Sequence, residues 1–339
     1  MLTRCGADPG WTHMMKLPRR RFLHLAAGAA ALPALPPGAN AQAYPTQPVR
    51  IIVGFAAGSG SDIMARLMAQ WLSERLGQPI VIENRAGAGG NVGTEAVVKA
   101  PPDGYTLLKV VPANTVNDTL YDKLPFNFIR DIAPVAGMAR VPYVLVVNQS
   151  LPVTTVPELI AYAKANPGKL NFASAGVGTG IHMSGELFKL MAGVSMTHVP
   201  YRGAGNAMTD LIGGQVQLMF DTTQASIPHI KAGKVRALAV TTAARSDLLP
   251  DLPTIGDVVP GYEASGSFGF GAPRNTPVEI VEKLNREINA VLADPKAKAR
   301  IAELGGEPLT GSPAAYGRML AEESEKWGRV VRAANIKVE

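Results

Sequence analysis

Cysteine is all but missing from this sequence: Cys5 is the only one in 339 residues, so no intramolecular disulfide and no cysteine-based zinc site can be built. Histidine is scarce, with five residues, and none stands in a His-Glu-x-x-His or other metal-binding spacing. The Gly-x-Ser-x-Gly turn of serine hydrolases and the phosphate loop Gly-x-x-x-x-Gly-Lys-[Ser/Thr] are also absent. Aromatic residues make up only 6% of the chain. No uninterrupted apolar run reaches the roughly 20 residues that a membrane-spanning helix requires. These absences exclude thiol chemistry and the common zinc and nucleotide-hydrolysing classes.

What is present begins with a targeting pattern. Arg19-Arg20-Arg21-Phe22-Leu23 leads into an Ala/Leu stretch broken by Pro33, Pro36 and Pro37, and Ala39-Asn40-Ala41 supplies a small-residue cleavage site. This is the layout of a signal peptide over residues 1–41, with Met14 or Met15 as the expected start. The arginines fit a twin-arginine signal as well as a general secretory one. Five of the 33 basic residues and one of the 27 acidic residues leave with this segment, so the formal charge falls from +6 to +2. No Lys/Arg cluster follows, which sets nucleic-acid binding aside. The mature chain is expected outside the cytoplasm, without cysteine, and stabilised by hydrophobic burial alone.

Short β-branched runs then alternate with helical periodicity, the mark of an α/β fold with largely parallel sheets. Val49–Phe55, Pro79–Glu83, Tyr105–Val111, Pro142–Val147, Leu170–Ala173, His198–Val199, Val216–Phe220 and Val235–Val240 read as strands. Helices are expected from Asp62 to Gly77, from Asn91 to about Lys99, from Val156 to Ala165 with Thr155 as N-cap, and from about Ile181 to Met191. The last part, from Phe268 on, turns helical. Ile280, Leu284, Ile288 and Leu292 form one stripe, and Ser312-Pro313 caps a final helix whose aromatics, Tyr316 and Trp327, are expected to pack in the core.

Three joints between a strand and a helix are rich in glycine and small hydroxyls: residues 56–62, 87–93 and 174–180. Each presents backbone N–H groups and the positive end of a helix, which favours anions. The dinucleotide fingerprint Gly-x-Gly-x-x-Gly fails at all three, because Ile63, Val92 and Ile181 stand where its last glycine belongs. Among the side chains, His182 lies in the first turn after the third joint, where a ligand would meet it. Asp62 equally suits a helix start without any ligand. Asp221 ends a strand, where α/β folds place their ligands.

Motifs along the mature chain carry a specific resemblance. They are Tyr44-Pro45 with Pro48-Val49-Arg50, Glu83-Asn84-Arg85-Ala86-Gly87-Ala88-Gly89-Gly90-Asn91-Val92-Gly93-Thr94, and Pro102-Asp103-Gly104-Tyr105-Thr106-Leu107. Further on stand Ser174-Ala175-Gly176-Val177-Gly178-Thr179, Val199-Pro200-Tyr201-Arg202-Gly203, Gly213-Gly214-Gln215-Val216, Phe220-Asp221 and Leu252-Pro253-Thr254-Ile255. In this order, from about Tyr44 to Lys337, the chain resembles the receptors of tripartite tricarboxylate transporters, also called the Bug family of periplasmic solute-binding proteins.

The resemblance implies a two-lobed, type II-like periplasmic-binding-protein fold, each lobe a mostly parallel sheet flanked by helices. Residues 42–142 with 268–339 would form lobe 1, and 143–267 lobe 2. It implies a small organic carboxylate held in the interlobe cleft, in part through ordered water. Phe55, Ala57, Gly58, Ser59, Ser61 and Asp62 would act from the first loop, and Ser174, Gly176, Gly178 and Thr179 from the second. Residues around Tyr201–Gly205 and Asp221 would read the far end of the ligand. The implied partner is a set of membrane permease subunits, and the receptor is expected to be a monomer that needs no cofactor or metal and performs no chemistry.

This sequence departs from the family pattern in two places. Gly54 precedes Phe55 where relatives carry proline, and Ser59 separates Gly58 from Gly60. Ser267 stands beside Phe268 where many relatives have tryptophan, from which a larger cleft is expected. Two other readings stay open on sequence alone: an exported hydrolase that pairs Asp62 or Asp221 with His182, and a sensor that hands its bound state to a signalling partner.

Overall fold

The computed structural model describes residues 44–338. The expected signal peptide and its cleavage site lie outside them. No helix among the described residues is long and apolar enough to cross a membrane.

The chain opens with strand β1 (Val49–Val53), followed by helix α1 (Gly60–Leu76) and β2 (Ile80–Asn84). Helix α2 (Asn91–Val98), β3 (Thr106–Val110) and α3 (Pro112–Leu120) come next. A single helical turn, α4 (Phe128–Asp131), leads into the long strand β4 (Ile132–Asn148). The middle of the chain is α5 (Val156–Ala165), β5 (Asn171–Ser174), α6 (Gly180–Ala192), β6 (Thr197–Pro200), α7 (Ala204–Ile212), β7 (Leu218–Thr222), α8 (Thr223–Lys231) and β8 (Val235–Val240). It closes with β9 (Ser265–Pro273), α9 (Val278–Ala293), α10 (Pro295–Glu303), the short β10 (Glu307–Pro308) and α11 (Pro313–Ala333).

The strands join into one mixed sheet in the order β2-β1-β3-β9-β4-β7-β5-β6, with β8 and β10 also paired to β4. Its outer parts are parallel, β2-β1-β3 at one end and β7-β5-β6 at the other. Its centre is antiparallel, because β9 and β4 run against their neighbours. Strand β4 spans both regions: Ile132–Pro142 pairs with β9, whereas Tyr143–Asn148 pairs with β7 and β8. The apolar run expected over Pro142–Val147 is therefore only the second part of a strand of 17 residues.

Local sequence explains most boundaries. Ser59 caps α1 by accepting from the Asp62 N–H at 3.3 Å, and Gly77 ends it with φ 67°, a left-handed conformation that favours glycine. Thr155 and Ser312 cap α5 and α11 through their hydroxyls. Val49, Ile51, Ile52 and Val53 are all buried, as expected for a strand covered on both faces. Each large aliphatic side chain so placed contributes about 1.5–3 kcal/mol of burial. Tyr316 and Trp327 are buried in the core, in keeping with their apolar stripe. Helix α3 was not legible, since Asn114, Thr115 and Asn117 are buried alongside its few apolar residues, Ala113, Val116 and Leu120.

Candidate ligand-binding cleft

Two helices of different parts of the sheet aim their N-termini at one cleft. Helix α1 follows β1 through the loop 54–59, and α6 follows β5 through the loop 175–179. The first N–H groups of any helix lack partners within it, so Gly60 and Ser61 on one side and Gly180 and Ile181 on the other face the same space, which they line. The cleft holds about 270 Å³, just below the roughly 300–1,000 Å³ of sites for drug-sized molecules, which suits a small ligand. Phe55, Val111, Val141 and Phe268 supply apolar wall.

The polar equipment of that wall is uncharged. Ser61 Oγ is buried and has no hydrogen-bond partner among the described residues. Tyr143 lines the cleft, and its hydroxyl has no hydrogen-bond partner among the described residues; burial pushes its pKa well up, so it stays a donor. Thr179 Oγ1 donates to the Gly176 carbonyl at 2.7 Å and accepts from the His182 N–H. Thr222 completes this set from the end of β7.

The loops are held from behind by side chains that do not line the cleft. Asp62 is buried, and its Oδ2 accepts from the Gly58 N–H and Arg66 Nε, both at 2.9 Å, while Oδ1 accepts from Asn84 Nδ2 at 2.9 Å. The Arg66 guanidinium, against the cost of burial, holds this carboxyl down at about 2. On the other side, Ser174 Oγ accepts from the Gly176 N–H and stands 2.6 Å from His198 Nε2. His182 Nδ1 accepts from the Gly178 N–H at 3.1 Å. A ring nitrogen that accepts carries no proton, so the His182 proton sits on Nε2, towards Glu186 at 3.6 Å.

Of the residues singled out from sequence, Phe55, Ser59, Ser61 and Thr179 lie on the cleft wall. Ala57 and Gly58 are exposed at the tip of their loop. Ser174, Gly176, Gly178, His182 and Asp62 stand behind the wall as loop supports. Asp221 points away from it. Its register partner is Val144, whereas the next pair, Tyr143 and Thr222, contributes to the cleft. Asp221 Oδ2 accepts from Ser226 Oγ at 3.0 Å, Oδ1 has no partner among the described residues, and burial pushes the acid up to about 6.

Sequence reasoning passed over Tyr143, Pro112 and Thr222, and took Gly180 only as the last residue of the joint 174–180. Tyr143 was hidden inside an apolar strand run, and Pro112 could have been found as a proline placed to open a helix directly after a strand. Gly180 has a strict reason for its identity, because a Cβ there would lie 2.1 Å from the Tyr143 hydroxyl.

The two departures from the family pattern have structural accounts. Gly54 lets β1 approach the glycine-rich loop backbone to backbone: a Cβ at position 54 would meet Gly90 Cα at 2.8 Å, and one at 93 would meet Gly54 Cα at 2.8 Å. The expected enlargement by Ser267 is corrected. Strand alternation turns Phe268 into the cleft and Ser267 to the other face, where its hydroxyl donates to Glu323 Oε1 at 2.6 Å. Position 267 therefore does not set the cleft's width.

Larger hollows of about 370 and 520 Å³ lie beside the C-terminal residues 331–338 and beside 248–252. No pair of helix N-termini converges on either. Among the described residues, no group of three or more His, Cys, Asp or Glu side chains is placed to hold a metal.

With this geometry in hand, comparison with known proteins is specific. Residues 64–336 match the family model of the tripartite tricarboxylate transporter family receptor, TctC. The chain belongs to this family. It is 37% identical over 302 residues to the protein BugT of Bordetella pertussis, covering 88% of this chain and 93% of that one. Among solved structures, an R. palustris protein with adipate is 42% identical, with a TM-score of 0.77 over 87% of this chain and 99% of that one. MatC from Rhodopseudomonas palustris, with bound malate, is 32% identical, with a TM-score of 0.74 over 85% of this chain and 100% of that one.

Proposed function

We propose that this chain is a periplasmic receptor that captures a small organic carboxylate in the cleft between two lobes and presents it to the membrane subunits of a tripartite transporter. The lobes are residues 42–142 with 268–339, and 143–267. The observation that carries the reading is the convergence of the α1 and α6 N-termini on one cleft, beside a buried Ser61 hydroxyl that has no partner among the described residues. Backbone N–H groups and hydroxyls there replace the water around a carboxylate, and both helix dipoles favour its charge. A ligand gripped from both lobes stabilises their closed arrangement, and closure creates the surface that a permease reads.

The same wall supports binding without chemistry. Its only ionisable side chain is Tyr143, whose pKa burial pushes up. The acids Asp62 and Asp221 and the base His182 lie off the wall, engaged with other groups, so no acid–base pair faces a bound molecule as a hydrolase would need. Relatives solved with adipate and malate make dicarboxylates the first ligands to try.

Thermal unfolding of the mature chain in the presence of mono-, di- and tricarboxylates tests the reading. A ligand at 100 times its dissociation constant stabilises by about 2.7 kcal/mol. No shift across a broad panel, with no acid retained in native mass spectra, sinks it.

A further inference from the structure

We propose that Lys109 sets the charge preference of the cleft, its ammonium acting past the Phe268 ring on a second anionic group at that end of the ligand. The inference rests on the carboxylate-receptor reading and adds a determinant that lies behind the wall.

Lys109 sits on β3, paired in register with Phe270 of the neighbouring β9. It is 1% exposed, among the most buried residues of the molecule. Burial of a lysine is ordinarily tolerated when a carboxylate pairs with it. Here the ammonium meets Met138 Sδ at 3.4 Å, the Phe270 ring at 4.8 Å and the Phe268 ring at 5.2 Å. No acidic group of the described residues forms an ion pair with it. Burial alone, with no other titratable group contributing, pulls it down to about 7.

Phe268 is the link to the cleft. Its ring is half-buried, lines the cleft, and lies over the Lys109 ammonium. The wall itself carries no formal charge, and behind it, unlike Arg66 with Asp62, Lys109 forms no ion pair with any acidic group of the described residues. An anion against the electropositive edge of the ring stands about 5 Å from the ring centre, the ring radius plus a van der Waals contact of about 3.5 Å, and with Nζ over the ring at 5.2 Å the two charges are roughly 7 Å apart. At that separation, in the dielectric usual for protein sites, the attraction amounts to about tenfold in affinity for a lysine that is partly charged when free. A monocarboxylate gripped by the two helix N-termini places only carbon at the Phe268 end and gains little from it. A dicarboxylate of suitable length gains the whole effect and draws a proton onto Lys109 as it binds.

Calorimetry of the mature chain with adipate and hexanoate, which share a six-carbon chain and differ by one carboxylate, separates the outcomes. In wild type, adipate binds more tightly, and at pH 7.5 its binding takes up protons, seen as a heat that changes with buffer ionisation enthalpy. Lys109→Met is expected to weaken adipate about tenfold, change hexanoate less than twofold, and abolish the proton uptake. An unchanged adipate-to-hexanoate ratio in the variant overturns the inference and leaves the receptor reading intact. Binding of neither acid, nor of any other carboxylate, by wild type overturns both. Should Lys109→Met fail to fold, the wild-type ratio between pH 6 and 8.5 decides: it falls as pH rises through 7 if Lys109 acts, and a flat ratio refutes the idea.

Discussion

His182 and His198 lie face to face, their ring centroids 3.8 Å apart and 23° from parallel, directly behind the loop that carries Gly176 and Gly178. Each ring holds a different point of that loop: His182 takes the Gly178 N–H, and His198 stands at Ser174 Oγ. Phe172 stacks on His182 at 6.1 Å and meets His198 at 4.9 Å, while Glu186 and Lys189 flank the pair from α6. The stack is thus a spacer that fixes one side of the cleft.

The pair makes the loop sensitive to acid. Desolvation first, then the neighbouring His182, depresses His198 from 6.5 to about 3. A histidine depressed in the folded state contributes stability that is full above the unfolded value and is lost as pH falls towards the folded one. The melting temperature of wild type should therefore drop between pH 7 and pH 4, and His198→Gln should flatten that decline. An equally steep decline in the variant assigns the acid limb to other groups.

Removing the acceptor at His182 should act on the ligand as well as on the fold. His182→Ala leaves the buried Gly178 N–H without a partner, at a cost of about 1–3 kcal/mol. The expected result is a lower melting temperature together with weaker carboxylate binding. Equal affinity in the variant would show that the loop keeps its shape without the ring.

Asp221 titrates with the opposite sign. Burial raises it from 3.8 to about 6, so its contribution is full below pH 3.8 and is lost as pH rises through 6. Asp221→Asn keeps an oxygen for the Ser226 hydroxyl and removes the charge. It should stabilise the protein at pH 7.5 by about 1–3 kcal/mol and leave it unchanged near pH 4, measured by urea unfolding. Ligand affinity should stay within about twofold, since the side chain lies off the cleft wall.

Gly180 and Tyr143 should show strong coupling. Gly180→Ala places a methyl 2.1 Å from the tyrosine hydroxyl, which must swing into the cleft, so ligand binding should be lost or much reduced. Tyr143→Phe removes that oxygen and should recover part of the binding in the double variant. Such contacting pairs give interaction energies of about 0.5–3 kcal/mol in a double-mutant cycle; strictly additive effects would mean the hydroxyl does not sit over Gly180 in solution.

Much of this architecture could be read from residue order. Thr155, Ser312 and Gly77 marked helix ends because their chemistry is local, and the glycine-rich joints at 56–62 and 174–180 did fall where helices begin at the cleft. Facing direction was not readable. His182 and Asp62 occupy helix first turns, where one residue's difference in position turns a side chain from the ligand space to the loop behind it. Asp221 and Thr222 are adjacent, and only the register of β7 against β4 decides which one faces the cleft. Tyr143 belonged to an apolar run whose two faces look alike in sequence, and Lys109 was a lone charge in a strand whose cover came from residues about 30 and 160 positions further along.

The long strand β4 has a consequence for how the chain is made. Its partners β7, β8, β9 and β10 all follow it in sequence, the last at Glu307–Pro308. A chain emerging N-terminus first completes β4 early but leaves its edges bare until most of the remaining residues have been synthesised. Pairings this distant are slow to close, and an unpaired apolar strand invites association with other chains. Until Phe268 has appeared, the Ile132–Pro142 part of β4 lacks most of the β9 residues that pair with it.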